Sequence, residues 1–300
     1  MLKKFISYSF GKKIVNVEEK LLENFDLDNA KKIINITGPK ILKICKDNEN
    51  TLTNSINAYK KFKVKNKLKN VSNLIYVTET PIKKFPGNST AFASKISINP
   101  NISTFDLNAG CTGFVDAIKV SNGLKGNSLI VCSESYSKNI NGFTKNLSTI
   151  FSDAASLFLY DKKKLSLIDY CSGFLPNSSN SLFLGNESCI NMKGVEVYNF
   201  VTSVVSKKID KILDKYKDIK LIFLHQASKI VCEYFENKLK KYKNLSVPTN
   251  ILKRGNTVSS TIPILISDYL KKNTIKKNSK FLICGFGVGL SYSLAVLKSK

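Results

Sequence analysis

The chain has 300 residues, 43% hydrophobic and 23% charged, a globular composition sufficient for one large domain or two fused halves of about 150 residues each. Its longest apolar runs, LIYV at 74–77 and SLFLY at 156–160, fall short of the roughly 18 residues a membrane-spanning helix needs, so no membrane span is expected. The net charge of +25 is almost all lysine, with Arg254 the sole arginine; this Lys/Asn bias fits an AT-rich genome rather than a nucleic-acid partner.

From the start, MLKKFISYSFGKKIV has its apolar stretch broken by serines and Gly11 and no small-residue cleavage site. It does not read as a signal peptide, and a cytoplasmic chain is expected. A helix near 52–62 runs into KKFKVKNKLKN at 60–70. That run lacks the arginine forks and stacking aromatics of nucleic-acid readers and reads as a solvated helix end. A basic surface still attracts an acidic protein partner.

The strand LIYVTE (74–79), a helix at 89–96, a short strand at 103–107 and a helix from Cys111 to about 123 follow, then the strands SLIVCSE (128–134) and ASLFLYD (155–161). DKKK marks a boundary near 161–165, dividing the chain into halves 1–163 and 164–300. Residues 171–193 show little periodicity and read as an excursion or lid. The second half repeats the order: a helix at 195–215, the strand LIFLH (221–225), helices at 228–241 and 257–272, then KFLICGF (280–286) and LSYSLAVL (290–297). Apolar strand-like runs alternating with amphipathic stretches predict an α/β sheet covered by helices. LIYVTET and LIFLHQA, each closing an apolar strand with polar residues, point to a duplicated unit whose strand ends converge on one site.

The seven cysteines (Cys45, Cys111, Cys132, Cys171, Cys189, Cys232 and Cys284) are odd in number, scattered and without a C-x-x-C pair. That pattern argues against a disulfide framework and a structural zinc site, and no metal is expected. Cys111 stands apart, between Gly110 and Thr112-Gly113 at a helix start. Unpaired N–H groups and the helix dipole there favour thiolate. Alone, the stretch fits a nucleophile or a small buried hydrophobe, the latter being the reading for Cys45, Cys132, Cys232 and Cys284. His225, the one histidine, closes a strand at the end where α/β sheets collect ligands, or is a satisfied core group. Asn256 in RGNTVSSTIP fits a turn and N-cap. GFGVG at 285–289 fits a tight hairpin and can leave a backbone N–H free for an anion.

Taken in order, NAGCTGF (108–114), FSDAAS (151–156), MKGVEVYNF (192–200), LHQAS (224–228), RGNTVSSTIP (254–263) and GFGVGLSYSLAVL (285–297) resemble the β-ketoacyl-acyl-carrier-protein synthase III group of the thiolase superfamily. The resemblance covers most of the chain and is weakest before residue 70. It implies a thiolase fold of two duplicated mixed-sheet halves in an αβαβα five-layer arrangement, a homodimer, and an acyltransferase of fatty acid biosynthesis. No cofactor is implied beyond acyl-CoA or acyl-carrier-protein thioesters as substrates, and acyl carrier protein is the implied partner. Cys111 would carry the acyl group before decarboxylative condensation with malonyl-acyl-carrier-protein. His225 and Asn256 would hydrogen-bond the malonyl thioester carbonyl, and the backbone N–H groups of Cys111 and Val288 would form the oxyanion hole. Phe286 would line the acyl pocket and Phe85 would reach that of the partner.

Typical members grip coenzyme A with a tryptophan and arginines; Lys32 and Ile36 stand at the tryptophan and a following arginine position here, Ser228 and Ile230 where an asparagine and then an arginine are usual, and Asn199 at one that often carries a basic residue. The departures point to a specialised member that takes its acyl group from a carrier protein or binds coenzyme A differently. Glu79 in VTET resembles the general acid/base of 3-hydroxy-3-methylglutaryl-CoA synthases, which condense without decarboxylation, or is a strand-end or interface residue. Two further readings stand beside these: transfer of the acyl group from Cys111 to an amine or hydroxyl in a specialised pathway, and a catalytically silent acyl-binding partner subunit. A silent subunit has no chemical need for an intact cysteine, histidine and asparagine.

Overall fold

The computed structural model describes residues 2–185 and 189–300. Strands β1 (Ile6–Phe10) and β2 (Lys13–Asn16) precede helices α1 (Val17–Leu22) and α2 (Leu27–Thr37). Then come β3 (Ile41–Ile44), α3 (Thr51–Lys60), β4 (Val71–Val77), α4 (Asn88–Ala93), β5 (Ser103–Leu107), α5 (Gly113–Gly123), β6 (Asn127–Glu134) and β7 (Ala154–Tyr160). The chain continues through β8 (Leu165–Phe174), β9 (Leu182–Leu184), β10 (Ile190–Met192), α6 (Gly194–Phe200), α7 (Ser206–Lys215), β11 (Ile222–Leu224) and α8 (Lys229–Leu239). It closes with α9 (Ile251–Arg254), α10 (Thr261–Tyr269), β12 (Lys280–Gly287) and β13 (Ser291–Ser299).

Two mixed sheets form the frame. The first has the order β1-β7-β6-β4-β5, with β4 parallel to β5 and β6, and β7 antiparallel to its neighbours. The second has the order β11-β12-β13-β8, with β11 parallel to β12 and the other pairs antiparallel. The central strands are covered on both faces, which is why they are continuous apolar runs rather than alternating ones. Between the sheets lie α5 and α10, whose Phe114, Ile118, Ile262 and Ile266 pack with Ile75 and Phe158 of one sheet and Phe281 and Ile283 of the other. Outside the first sheet, Ala58 and Phe92 of α3 and α4 cover Leu74 and Val131. Outside the second, Ile209 and Phe235 of α7 and α8 cover Leu282 and Leu294. The result is helix, sheet, helix, sheet, helix: the thiolase arrangement.

The stretch 171–193 is more structured than its aperiodicity implies. Residues 171–174 finish β8, and β9 and β10 pair as an antiparallel hairpin; Asn186, Glu187 and Ser188 lie outside the described residues. β8 escapes the periodicity test because it is a half-exposed edge strand whose Asp169 and Tyr170 bond polar neighbours, Tyr170 donating to Asp116 Oδ1 at 2.8 Å. In the lysine run, Phe62 and Leu68 are buried anchors. The helix expected at 257–272 begins as a short tight turn at Val258–Ser260 before α10. Among the described residues, no helix is long and apolar enough to cross a membrane.

Candidate active site

A cavity of about 410 Å³ is lined by residues from both parts of the sequence, Cys111, His225, Asn256, Phe286, Gly287 and Val288 among them, with the exposed Ile36, Val195 and Ile230 toward solvent. Cys111 lies two residues before α5, not inside its first turn. Its backbone lies against β12, where a Cβ on Gly285 would sit 2.4 Å from Cys111 O and one on Gly287 2.8 Å from Cys111 Sγ. Only glycine lets the strand pass this close, which is the physical reason for the glycine spacing in GFGVG.

His225 follows β11, its N–H donating to Cys284 O of β12 at 2.9 Å. Its Nδ1 shares a hydrogen bond of 2.6 Å with Thr261 Oγ1, which leaves Nε2 as the ring atom for a ligand. The Phe286 ring meets the imidazole edge-to-face at 5.4 Å. Burial depresses the His225 pKa to about 3, so the imidazole is neutral at physiological pH.

Asn256 is held by an isolated parallel β-bridge to Phe151 rather than as a helix N-cap. Its N–H donates to Ile150 O at 2.8 Å and its carbonyl accepts from Ser152 N at 2.9 Å. The side-chain Oδ1 accepts from Val258 N at 2.8 Å, and Nδ2 donates to Ala227 O at 3.3 Å, beside His225. Val258 makes this possible by adopting φ +52°, a strained conformation for a β-branched residue.

The Cys111 thiol differs from the expectation of a dipole-stabilised thiolate. Burial, reinforced by the nearby Glu79 and Glu134 carboxylates, holds its pKa well above the usual thiol value; hydrogen bonds from the backbone N–H groups of Val288 and of Cys111 itself act in the opposite sense. The resting nucleophile is therefore a neutral thiol. The same two N–H groups face the Cys111 sulfur.

Behind the thiol lies an acid cluster that the strand pattern only half announced. Glu79 sits against Gly110, accepting its backbone N–H and the Tyr136 hydroxyl. Glu134, ending β6 as Glu79 follows β4, accepts from Glu79 N at 3.1 Å, Thr80 Oγ1 at 2.9 Å and Ser259 Oγ at 2.8 Å. Burial first and the Glu79 charge second push Glu134 up to about 8. Glu79, Tyr136 and Val288 also line a second cavity of about 280 Å³.

The predicted Cys111, His225, Asn256, Val288 and Phe286 thus share one cavity, and Glu79 borders it through Tyr136. Phe85 does not line this cavity: it is 84% exposed, on the loop before α4. Thr261, Val258, Glu134 and Tyr136 were not singled out from the sequence. Glu134 could have been, since SLIVCSE ends as LIYVTE does; Val258 and Thr261 lie within RGNTVSSTIP without any local sign of their contacts, and Tyr136 carries no motif.

A two-sheet thiolase fold around a cysteine, a histidine and an asparagine defines the class of condensing acyltransferases. The family model of 3-oxoacyl-[acyl-carrier-protein (ACP)] synthase III matches residues 105–175, and that of its C-terminal region residues 214–299. A β-ketoacyl-[acyl-carrier-protein] synthase III of Clostridium novyi is 30% identical over 316 aligned positions, covering 94% of this chain and 96% of the relative. One of Clostridium perfringens is 28% identical over 282 positions, covering 83% and 85%. The chain belongs to the 3-oxoacyl-[acyl-carrier-protein] synthase III family and is a condensing acyltransferase. Among solved structures, synthases III of Thermus thermophilus and Aquifex aeolicus share the fold, with TM-scores of 0.86 and 0.84 at 21% identity, covering 97% and 98% of each chain.

Proposed function

We propose that Cys111 takes an acyl group from a thioester and that the acyl-enzyme condenses with a malonyl group borne on acyl carrier protein, in fatty acid biosynthesis. The observation that supports this reading most directly is that Cys111, His225 and Asn256, from three distant segments, line one cavity. In the first half-reaction Cys111 Sγ attacks the acyl carbon, the donor C–S bond breaks, and the Cys111 proton leaves with the donor thiol. The N–H groups of Cys111 and Val288 hold the oxyanion. In the second, the bond from the malonyl α-carbon to its carboxylate breaks and CO₂ departs. His225 Nε2 and Asn256 Nδ2 hold the enolate oxygen, the α-carbon attacks the acyl carbon, and the C–S bond to Cys111 breaks; the departing thiolate takes a proton from water to restore the resting thiol. A neutral imidazole suits this step in the tautomer that carries its proton on Nε2, with the Thr261 hydroxyl turned from Val258 O to donate to Nδ1; a hydrogen-bond donor is needed and a buried charge is not. No cofactor enters the scheme. Intact-mass analysis after incubation with acyl thioesters tests it: an adduct on Cys111 absent in Cys111→Ala, and CO₂ released in step with product, are expected. No adduct with any donor rules the scheme out.

A second reading rests on Glu79, whose carboxyl lies against Gly110 with its pKa raised by burial. As a base it would deprotonate a second acyl thioester without decarboxylation. Product formed from an acetyl rather than a malonyl donor, without CO₂, and lost in Glu79→Gln, distinguishes it.

A further inference from the structure

We infer that Tyr136 fixes how long an acyl group Cys111 accepts, its ring acting as a stop that the Glu79 carboxyl holds in place. The inference rests on the acyl-cysteine chemistry proposed above. The larger cavity, about 410 Å³, holds Cys111 and opens to solvent past the exposed Ile36, Val195 and Ile230, so the thioester enters through it. The smaller, about 280 Å³, adjoins it. Tyr136, Leu182 and Val288 line both and form the partition between them.

Of the three, Tyr136 is the largest, and it is clamped at both ends of its side chain. Its ring packs on that of Phe151 at 5.0 Å, inside the apolar cluster that also contains Cys111, Leu182 and Ile190. Its hydroxyl donates to Glu79 Oε2, its one hydrogen bond among the described residues. Glu79 is anchored in turn: it accepts the Gly110 N–H, and a Cβ on Gly110 would collide with the carboxyl. The stop is thereby tied to the residue that precedes the nucleophile. Swinging the ring aside breaks the bond to Glu79 and strands a buried hydroxyl and a half-buried carboxyl, a cost that packing alone does not impose. An acyl tail that reaches the ring therefore meets a wall that does not yield, and overlong chains are refused. Beyond the ring, the second cavity has an apolar wall of Phe183, Leu184 and Ile190 as well as the polar Glu79, Thr80 and Asn108. A tail admitted past Tyr136 would have apolar surface to lie on.

The test follows acylation of Cys111 by acetyl-, butyryl- and octanoyl-pantetheine, read as kcat/KM from intact mass. The parent should load octanoyl at least about tenfold more slowly than butyryl. Tyr136→Ala, which joins the two cavities, should raise the octanoyl value at least about tenfold and keep the butyryl value within about threefold, which also shows that the variant folds. Tyr136→Phe keeps the ring and removes only the bond to Glu79; it should raise the octanoyl value at least about threefold. Leu182→Ala, trimming the neighbouring part of the partition, should gain less than Tyr136→Ala. A parent that loads octanoyl as fast as butyryl, or a Tyr136→Ala variant with no octanoyl gain, overturns the inference while leaving the chemistry standing. An equal gain in Leu182→Ala places the stop at Leu182 and overturns it too. A parental profile in Tyr136→Phe overturns the part assigned to Glu79. No acylation from any of the three thioesters overturns the chemistry itself.

Discussion

At the scale of single residues, the site works without a charged histidine. Its imidazole is oriented by one hydroxyl, that of Thr261, and Thr261→Val should lower CO₂ release from malonyl thioester about tenfold while changing acyl loading less; Thr261→Ser should restore it. Comparing the two half-reactions separates positioning from loss of packing. Glu134 gives a pH signature. Its folded pKa, about 8, lies above the unfolded carboxyl value, so the stability it contributes is complete below about pH 4.5 and is lost as pH rises through 8. His225, with a folded pKa of about 3, contributes stability that is complete above about pH 6.5 and is lost as pH falls toward 3. Between pH 6.5 and 8 only the first effect operates. Glu134→Gln keeps an acceptor for Ser259 and Thr80 and should flatten the fall in urea midpoint across that window; an unchanged slope would show that the Glu134 carboxyl does not titrate there.

At the scale of elements, the sequence was informative wherever both faces of a strand are buried. LIYV, SLIV and KFLIC are uninterrupted apolar runs because β4, β6 and β12 lie in the sandwich interior. It was uninformative for β8, an edge strand with polar partners, and for the first fifty residues, where short β2 and β3 pair with each other and carry partly exposed side chains. The β12 glycines were legible as a turn signal, but their function is close approach. Gly287→Ala would press a methyl into Cys111 Sγ; acylation of Cys111 should drop at least tenfold with the far-UV circular dichroism spectrum unchanged. An acylation rate within twofold of the parent would show that β12 can yield.

At the scale of the whole molecule, β5 ends the first sheet with one edge unpaired among the described residues, its Phe105 40% exposed and Phe85 84% exposed on the loop before α4. Such an edge is a template for pairing with a second copy, and we propose a homodimer formed there. Sedimentation equilibrium should show a dimer at micromolar concentration, and Phe105→Lys should shift it to monomer; a parental monomer counts against the arrangement. The α/β class and the candidacy of Cys111, His225 and Asn256, which line one cavity, were legible before any fold, because strand patterning and motif order are local properties of the chain. The state of the thiol was not. A helix start argues for thiolate when read alone, and only packing brings Glu79 and Glu134 behind Cys111 and removes the water that would screen them. The apolar mouth was equally hidden, because Ile36, Val195 and Ile230 lie on α2, α6 and α8 and line one cavity only in the folded chain.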